Sequence, residues 1–345
     1  MDGISGLSTP LNAVKPANGR PTVLELRNID VLFRRRNQSV HAVRGVSLDV
    51  GAGEAVGIVG ESGCGKSALA LSVLGLLPPS AQVSGSARMH GQEILSMRRA
   101  ELRKWRGNQV GMVFQDPMGS LNPLMKVGQQ ITETIRAHTA VSRKAARRRA
   151  IELLEMVELK DPKRHVDSYP HELSGGMLQR VMIAIALSCE PSLLIADEPT
   201  TALDVTVQAQ LLDTLDRLRT SFGMALILIT HDLGVVGRVC SKIHVVYAGR
   251  IVESGPLGAV MRSPEHPYTM ALLSSQPRVG SKSREPVRSI DGYPPSMEDP
   301  IVGCSFQPRC IHATDECSHS DPALVGVGDG RRAACIHVGA LDRRL

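Results

Sequence analysis

Gly60-Glu61-Ser62-Gly63-Cys64-Gly65-Lys66-Ser67 is the stretch from which the fold can be read. It fits the pattern G-x-x-x-x-G-K-[ST]. Glycines let the backbone curl until successive N–H groups point inward and form a nest for phosphate. A helix opening at Lys66 adds the positive end of its dipole. In such a loop Lys66 reaches the outer phosphates of a nucleotide, and the Ser67 hydroxyl is a ligand for Mg²⁺. The run before it, Ala55–Val59, reads as a buried strand; the run after it, Lys66–Leu77, reads as a helix stopped by Pro78-Pro79. Residue frequencies give such a match by chance in roughly one chain of this length in a hundred. The strand–loop–helix context makes ATP and Mg²⁺ the expected ligands.

Outward from this loop, short β-rich runs alternate with longer helical patterns from Val23 onward, the mark of an α/β fold with a mainly parallel sheet. Val110–Phe114, Leu193–Ala196 and Ala225–Ile229 are further strand candidates, the last two being continuous apolar runs of the kind buried on both faces. Val127–Leu159 carries helical periodicity only, so a helical insert at about residues 116–186 interrupts the α/β core. Val205–Arg219 is amphipathic, apolar at Val207, Leu211, Leu215 and Leu218. Residues 1–21 read as a flexible leader, 22–280 as the main domain, and 281–345 as a loop-rich extension punctuated by proline and holding four of the seven cysteines.

The chain has 345 residues and a formal charge of +6. Its aromatic content of 3% argues against base-stacking platforms and an aromatic-rich binding surface, and no nucleic-acid partner is expected. The basic run Arg143, Lys144, Arg147, Arg148 and Arg149 reads as a solvated helix face, with contact to lipid head groups or a membrane partner as the alternative. The first twenty residues, which hold Asp2, Pro10, Pro16 and Gly19, do not read as a secretory signal, and no run of about 20 apolar residues stands out. Any membrane role is therefore expected to come through partners.

Leu193-Leu194-Ile195-Ala196-Asp197-Glu198 supplies a second site. An apolar strand ending in two acids places Asp197 at the sheet edge, where it can hold Mg²⁺, and lets Glu198 accept a proton from the attacking water. Leu173-Ser174-Gly175-Gly176-Met177 is another anion nest, a hydroxyl and glycine amides at a helix start. In this order, with the phosphate loop before it and the acidic pair after it, the segment resembles the signature of ATP-binding-cassette proteins. The resemblance implies a P-loop NTPase with a RecA-like core, an antiparallel β subdomain and the helical insert. It also implies that Ser174, Gly175 and Gly176 face a γ-phosphate held by the opposite subunit. By the same resemblance Gln115 senses Mg²⁺ and the attacking water, Asp204 belongs to a loop reaching across a dimer, His231 contacts the γ-phosphate, and Phe33 stacks on adenine.

The full length is similar to the ATPase subunits of bacterial oligopeptide/dipeptide and nickel importers, through Phe114–Pro123, Tyr169–Ala186, Asp197–Gln210 and His266-Pro267-Tyr268-Thr269. It departs from them at Cys64, Leu178 and Ile311, none in a catalytic role. The similarity implies a second ATPase subunit, identical or paralogous, two membrane permease subunits, an extracytoplasmic solute-binding protein, and a place on the cytoplasmic face of the membrane. Peptide is the expected solute, with nickel or export as the alternatives. The tail carries Cys304, Cys310, Cys317 and Cys335. Disulfides do not suit a reducing compartment. Four thiolates suit a tetrahedral metal or an iron–sulfur cluster, with zinc and free thiols left open. The importer resemblance implies [4Fe–4S].

Overall fold

The computed structural model describes residues 21–34, 38–201, 203–275, 290–299 and 301–341. The expected leader lies, except for Pro21, outside the described residues, as does the expected boundary at 280/281.

A four-stranded antiparallel sheet holds β1 (Thr22–Arg34), β2 (Ser39–Gly51), β4 (Ala81–Met89) and β5 (Gln92–Glu93) in the order β2-β1-β4-β5. The main sheet holds β3 (Ala55–Val59), β6 (Val110–Val113), β7 (Leu193–Asp197), β8 (Ala225–Thr230), β9 (Lys242–Tyr247), β10 (Arg250–Pro256), β11 (Val325–Gly328) and β12 (Arg331–Ala333). Its order is β11-β12-β10-β9-β3-β8-β7-β6, with β9, β3, β8, β7 and β6 parallel.

The continuous apolar runs follow from burial on both faces. Val56, Ile58, Leu193, Ile195, Ile227 and Ile229 enter one core, shared with the antiparallel sheet and with helix α1 (Lys66–Val73). Their alternates Ala55, Val59, Leu194, Ala196, Leu226 and Leu228 enter a second core. Period-2 side-chain alternation distributes one strand between two cores, so neither face can be polar. Gly57 lies on the second face, where a Cβ would sit 2.5 Å from Val236 Cγ1 of the helix Leu233–Val239; only glycine lets that helix approach so closely.

Two short helices, α2 (Arg99–Trp105) and α3 (Pro117–Ser120), flank β6. Between β6 and β7 every regular element is helical: α3, α4 (Val127–His138), α5 (Arg143–Met156), α6 (Pro162–His165), a 3-10 turn at Pro170–Glu172, and α7 (Gly175–Ala186). Ile131, Ile135, Leu153, Leu154, Val181 and Ile183 bury these helices against one another. The basic run lies on α5, where Arg147 pairs with Asp167 and Arg149 with Glu190, at 2.6 and 2.7 Å. Helices α8 (Val205–Phe222), α9 (Leu233–Val239), α10 (Leu257–Arg262) and α11 (Pro267–Ser274) complete the fold. Among the described residues no helix is long and apolar enough to cross a membrane.

One expectation is corrected. Helix α1 ends at Val73, before Pro78-Pro79, because Gly75 adopts φ +59. The Gly75 N–H bonds to Ser72 O and the Leu76 N–H to Leu71 O, which closes the helix with the two bonds of a Schellman cap. The C-terminal region, mostly loop in its described residues, carries one short hairpin. Asp329-Gly330, with φ of +52 and +69, turns β11 into β12, and β12 pairs with β10. Phe306, Cys317 and Ala333 are buried.

Candidate functional site

Because β3, β8, β7 and β6 are parallel and adjacent, the segments leaving their carboxyl ends emerge side by side. Register pairs Val59 with Thr230, Asp197 with Ile229, and Val113 with Ala196. The phosphate loop, His231, Glu198 and Gln115 therefore share one edge, where ligands of open α/β sheets bind.

The loop is shaped by close backbone approach. Gly63 and Gly65 have φ of +79 and +103, and a Cβ on Gly65 would lie 2.0 Å from Ala42 O. Gly60 is equally confined, its Cβ position 2.1 Å from Val246 O. Lys66 is buried, with Nζ donating to Gly60 O at 2.7 Å and Glu61 O at 2.8 Å, and it approaches Cys64 Sγ at 3.7 Å. Burial pushes the Cys64 thiol above its ordinary value, against the pull of Lys66. Ser62 lines, with Glu61, Glu198 and His231, a cavity of about 400 Å³.

Asp197 ends β7 as a buried carboxylate. Desolvation raises its pKa, while a hydrogen bond from Ser67 opposes that shift. Its Oδ1 is buried and has no hydrogen-bond partner. An orphaned carboxylate oxygen beside the Ser67 hydroxyl, at the foot of an anion nest, is a donor set that fits a hard divalent cation.

Glu198 follows in the left-handed conformation, φ +46. Its carboxylate accepts from Gln115 Nε2 at 3.1 Å and from Thr201 Oγ1 at 2.9 Å, and it lies 3.3 Å from His231 Nδ1. Three residues from three separate loops thus converge on one carboxylate. Thr201 is the member that sequence reading missed; its only signal is its place three residues after Glu198.

The remaining predicted residues lie elsewhere. Ser174 caps the N-terminus of α7 and is exposed, its side chain making no capping bond. A Cβ on Gly175 would meet open space. Gly176 packs towards Val207 of α8, its Cβ position 3.1 Å from that side chain. Asp204 caps α8 by accepting from the Val207 N–H at 2.9 Å. Among the described residues no hydrogen bond joins Ser174, Gly175 or Gly176 to the phosphate loop of the same chain. Phe33 is half-buried near the end of β1, packed on the core shared with the antiparallel sheet.

Cys304, Cys310, Cys317 and Cys335 are free thiols that line one small pocket with Phe306 and His337. Burial pushes Cys310 up to about 11. Among the described residues no group of three or more His, Cys, Asp or Glu side chains is arranged to hold a metal ion. A single tetrahedral zinc at about 2.3 Å from each sulfur draws thiolates to within about 3.8 Å of one another. The four thiols share a pocket without being gathered as the ligands of one metal ion.

Residues 43–201 match the family model described as ABC transporter, and residues 252–317 match that described as oligopeptide/dipeptide transporter, C-terminal region. The chain is 46% identical to the oligopeptide transport ATP-binding protein OppD of Salmonella typhimurium over 95% of this chain and 96% of that one. It is 49% identical to OppD of Mycobacterium tuberculosis over 93% of its own length, while spanning about half (53%) of that longer relative. Among solved structures, a dimeric post-hydrolysis state of an ATP-binding cassette bound to ADP and Pi superposes with a TM-score of 0.62 at 30% identity. That alignment covers 68% of this chain and 98% of the cassette.

Proposed function

Since the chain belongs to the ABC transporter ATP-binding proteins, and carries the C-terminal region of their oligopeptide/dipeptide branch, we propose that it hydrolyses ATP to drive peptide uptake. The observation that carries the reading is the convergence of Gln115, Thr201 and His231 on Glu198, beside an Asp197 oxygen that has no partner.

Lys66 and the loop amides hold the phosphates; on ligand binding Nζ exchanges the carbonyls of Gly60 and Glu61 for phosphate oxygens. Ser67, Asp197 and Gln115 would hold Mg²⁺, which neutralises charge on the phosphates. Glu198 takes the proton of the attacking water, oriented by Gln115, with His231 beside the γ-phosphate. Phe33 stacks on adenine. Ser174 and Gly175, exposed at the start of α7, and the half-buried Gly176 beside them serve the nucleotide of a second cassette, and Asp204 lies at that interface. Chemistry then requires two cassettes, and the helical insert passes their motion to two membrane permeases on the cytoplasmic face of the membrane. A solute-binding protein on the far side delivers the peptide.

Cys304, Cys310, Cys317 and Cys335 would hold a [4Fe–4S] cluster as a structural staple; what supports this is their shared pocket and the purely thiol donor set. The cluster supplies cross-linking of the tail.

The test is ATP turnover by the isolated chain as its concentration is raised, then peptide uptake into vesicles holding both permeases. Turnover per chain rises with concentration, and peptide uptake depends on ATP. Full turnover by a strict monomer defeats the sandwiched site; ATP-dependent uptake of another solute but not peptide defeats the choice of cargo.

A further inference from the structure

The second position of the phosphate-loop pattern is unconstrained, since the loop binds phosphate through N–H groups, glycine and lysine. Here that position is Glu61, an acid in a loop built to bind anions and part of the cavity lining. A carboxylate so close to a polyphosphate repels it unless its charge is cancelled.

The partner comes from the far end of the chain. Arg309 Nη1 and Nη2 donate to Glu61 Oε2 and Oε1 at 2.7 and 3.0 Å, a two-pronged pair. The Arg309 side chain is only 4% exposed. It also donates to the carbonyls of Asp291 and Ile290 at 2.9 and 3.2 Å and lies 5.9 Å from the centre of the Tyr247 ring. Hydrogen bonding to Glu61 holds the guanidinium above its ordinary pKa. The Glu61 main chain is held as well, its N–H donating to Tyr268 Oη at 2.9 Å and its carbonyl accepting from Lys66. Arg309 sits in the 3-10 turn Gln307–Arg309, between the buried Phe306 and the half-buried Cys310.

We propose that Arg309 is a positioning residue for the phosphate loop: by neutralising Glu61 it keeps the loop receptive to ATP, so that the cysteine-bearing segment sets nucleotide affinity. The inference rests on the ATP-binding reading above and assigns a control element to that same site. Displacing the segment between Cys304 and Cys310 uncovers a negative charge on the phosphate loop and weakens binding without touching a catalytic residue.

The experiment titrates a fluorescent ATP analogue into the full-length chain and its variants, and records melting temperature without nucleotide. Arg309→Met weakens binding about tenfold or more, because it leaves a carboxylate unpaired. Arg309→Met with Glu61→Gln recovers most of the affinity lost in Arg309→Met, since no charge is then uncovered. Arg309→Gln is the second variant in case Arg309→Met does not fold; it can still bond the carbonyls of Ile290 and Asp291, and it loses affinity to the same degree. A double variant as weak as Arg309→Met, or Arg309 variants that bind like the parent, overturns the proposal. A parent chain that does not bind ATP defeats instead the functional reading beneath it.

Discussion

Glu198 sits in a backbone region that costs a non-glycine residue of order 1–3 kcal/mol and persists only where the surroundings over-determine it. The restraints are visible: its N–H donates to Ile229 O at 2.9 Å, and its carboxylate meets Gln115, Thr201 and His231. The strained turn swings the acid away from the strand and into the cavity shared with Ser62 and His231. Glu198→Gln keeps the shape and the hydrogen bonds while removing the proton acceptor. Its expected effect is a fall in kcat of ~10²–10⁴ with ATP affinity retained. Turnover near the parent value in that variant would assign the base elsewhere. At this scale the sequence was legible where the chemistry demands one residue type, as at Lys66, Ser67, Asp197 and Glu198. It was silent on Thr201 and Arg309, whose residue types are common and whose meaning lies in what they touch.

Strand β9 carries His244, fully buried, with neither ring nitrogen hydrogen-bonded. Burial pushes its pKa down to about 3, and it does the same to His266. His266 accepts the Tyr268 N–H on Nδ1 at 3.1 Å and so caps α11 only while that nitrogen is unprotonated. Both folded-state values lie below the unfolded value of about 6.5. The unfolded chain therefore binds protons first as pH falls, and the folded state loses stability between pH 6.5 and about 3. It loses up to roughly 1.4 kcal/mol per pH unit for each histidine. Urea unfolding between pH 7 and 4 should show this fall, and His244→Leu should remove about half of the portion due to these two histidines. An unchanged pH slope in His244→Leu would show that His244 does not stay neutral. Elements themselves were legible from periodicity, Ala55–Val59 to the residue. Their ends were less so: Gly75 stops α1 before the prolines because its left-handed conformation satisfies the last carbonyls earlier.

For the molecule as a whole, the main sheet divides two cores, and the C-terminal region belongs to both the sheet and one core. β12 extends the sheet through β10, while Phe306 packs on Tyr247 and Tyr268 at ring-centroid distances of 5.2 and 5.4 Å. The four thiols lie behind this aromatic group, so a cluster held there would staple the tail to the nucleotide domain. Anaerobically purified chain should be brown, with a visible absorption band and bound iron and sulfide. Cys310→Ser should bleach it and lower the melting temperature. Colourless protein with stoichiometric zinc, or with neither metal, would remove the cluster from the proposal.

Local chemistry determined much from the sequence alone: a phosphate nest after a strand, two acids at the end of another, a helical insert, and four cysteines in the last segment. Each is a short-range pattern of residue types and periods. Tertiary structure decided which of them meet. Gln115, Glu198 and His231 lie 83 and 33 residues apart from one another, and Arg309 lies 248 residues from Glu61. Lateral strand order brings these groups together, and it is set by long-range pairing and shared burial, which leave no local trace in the chain.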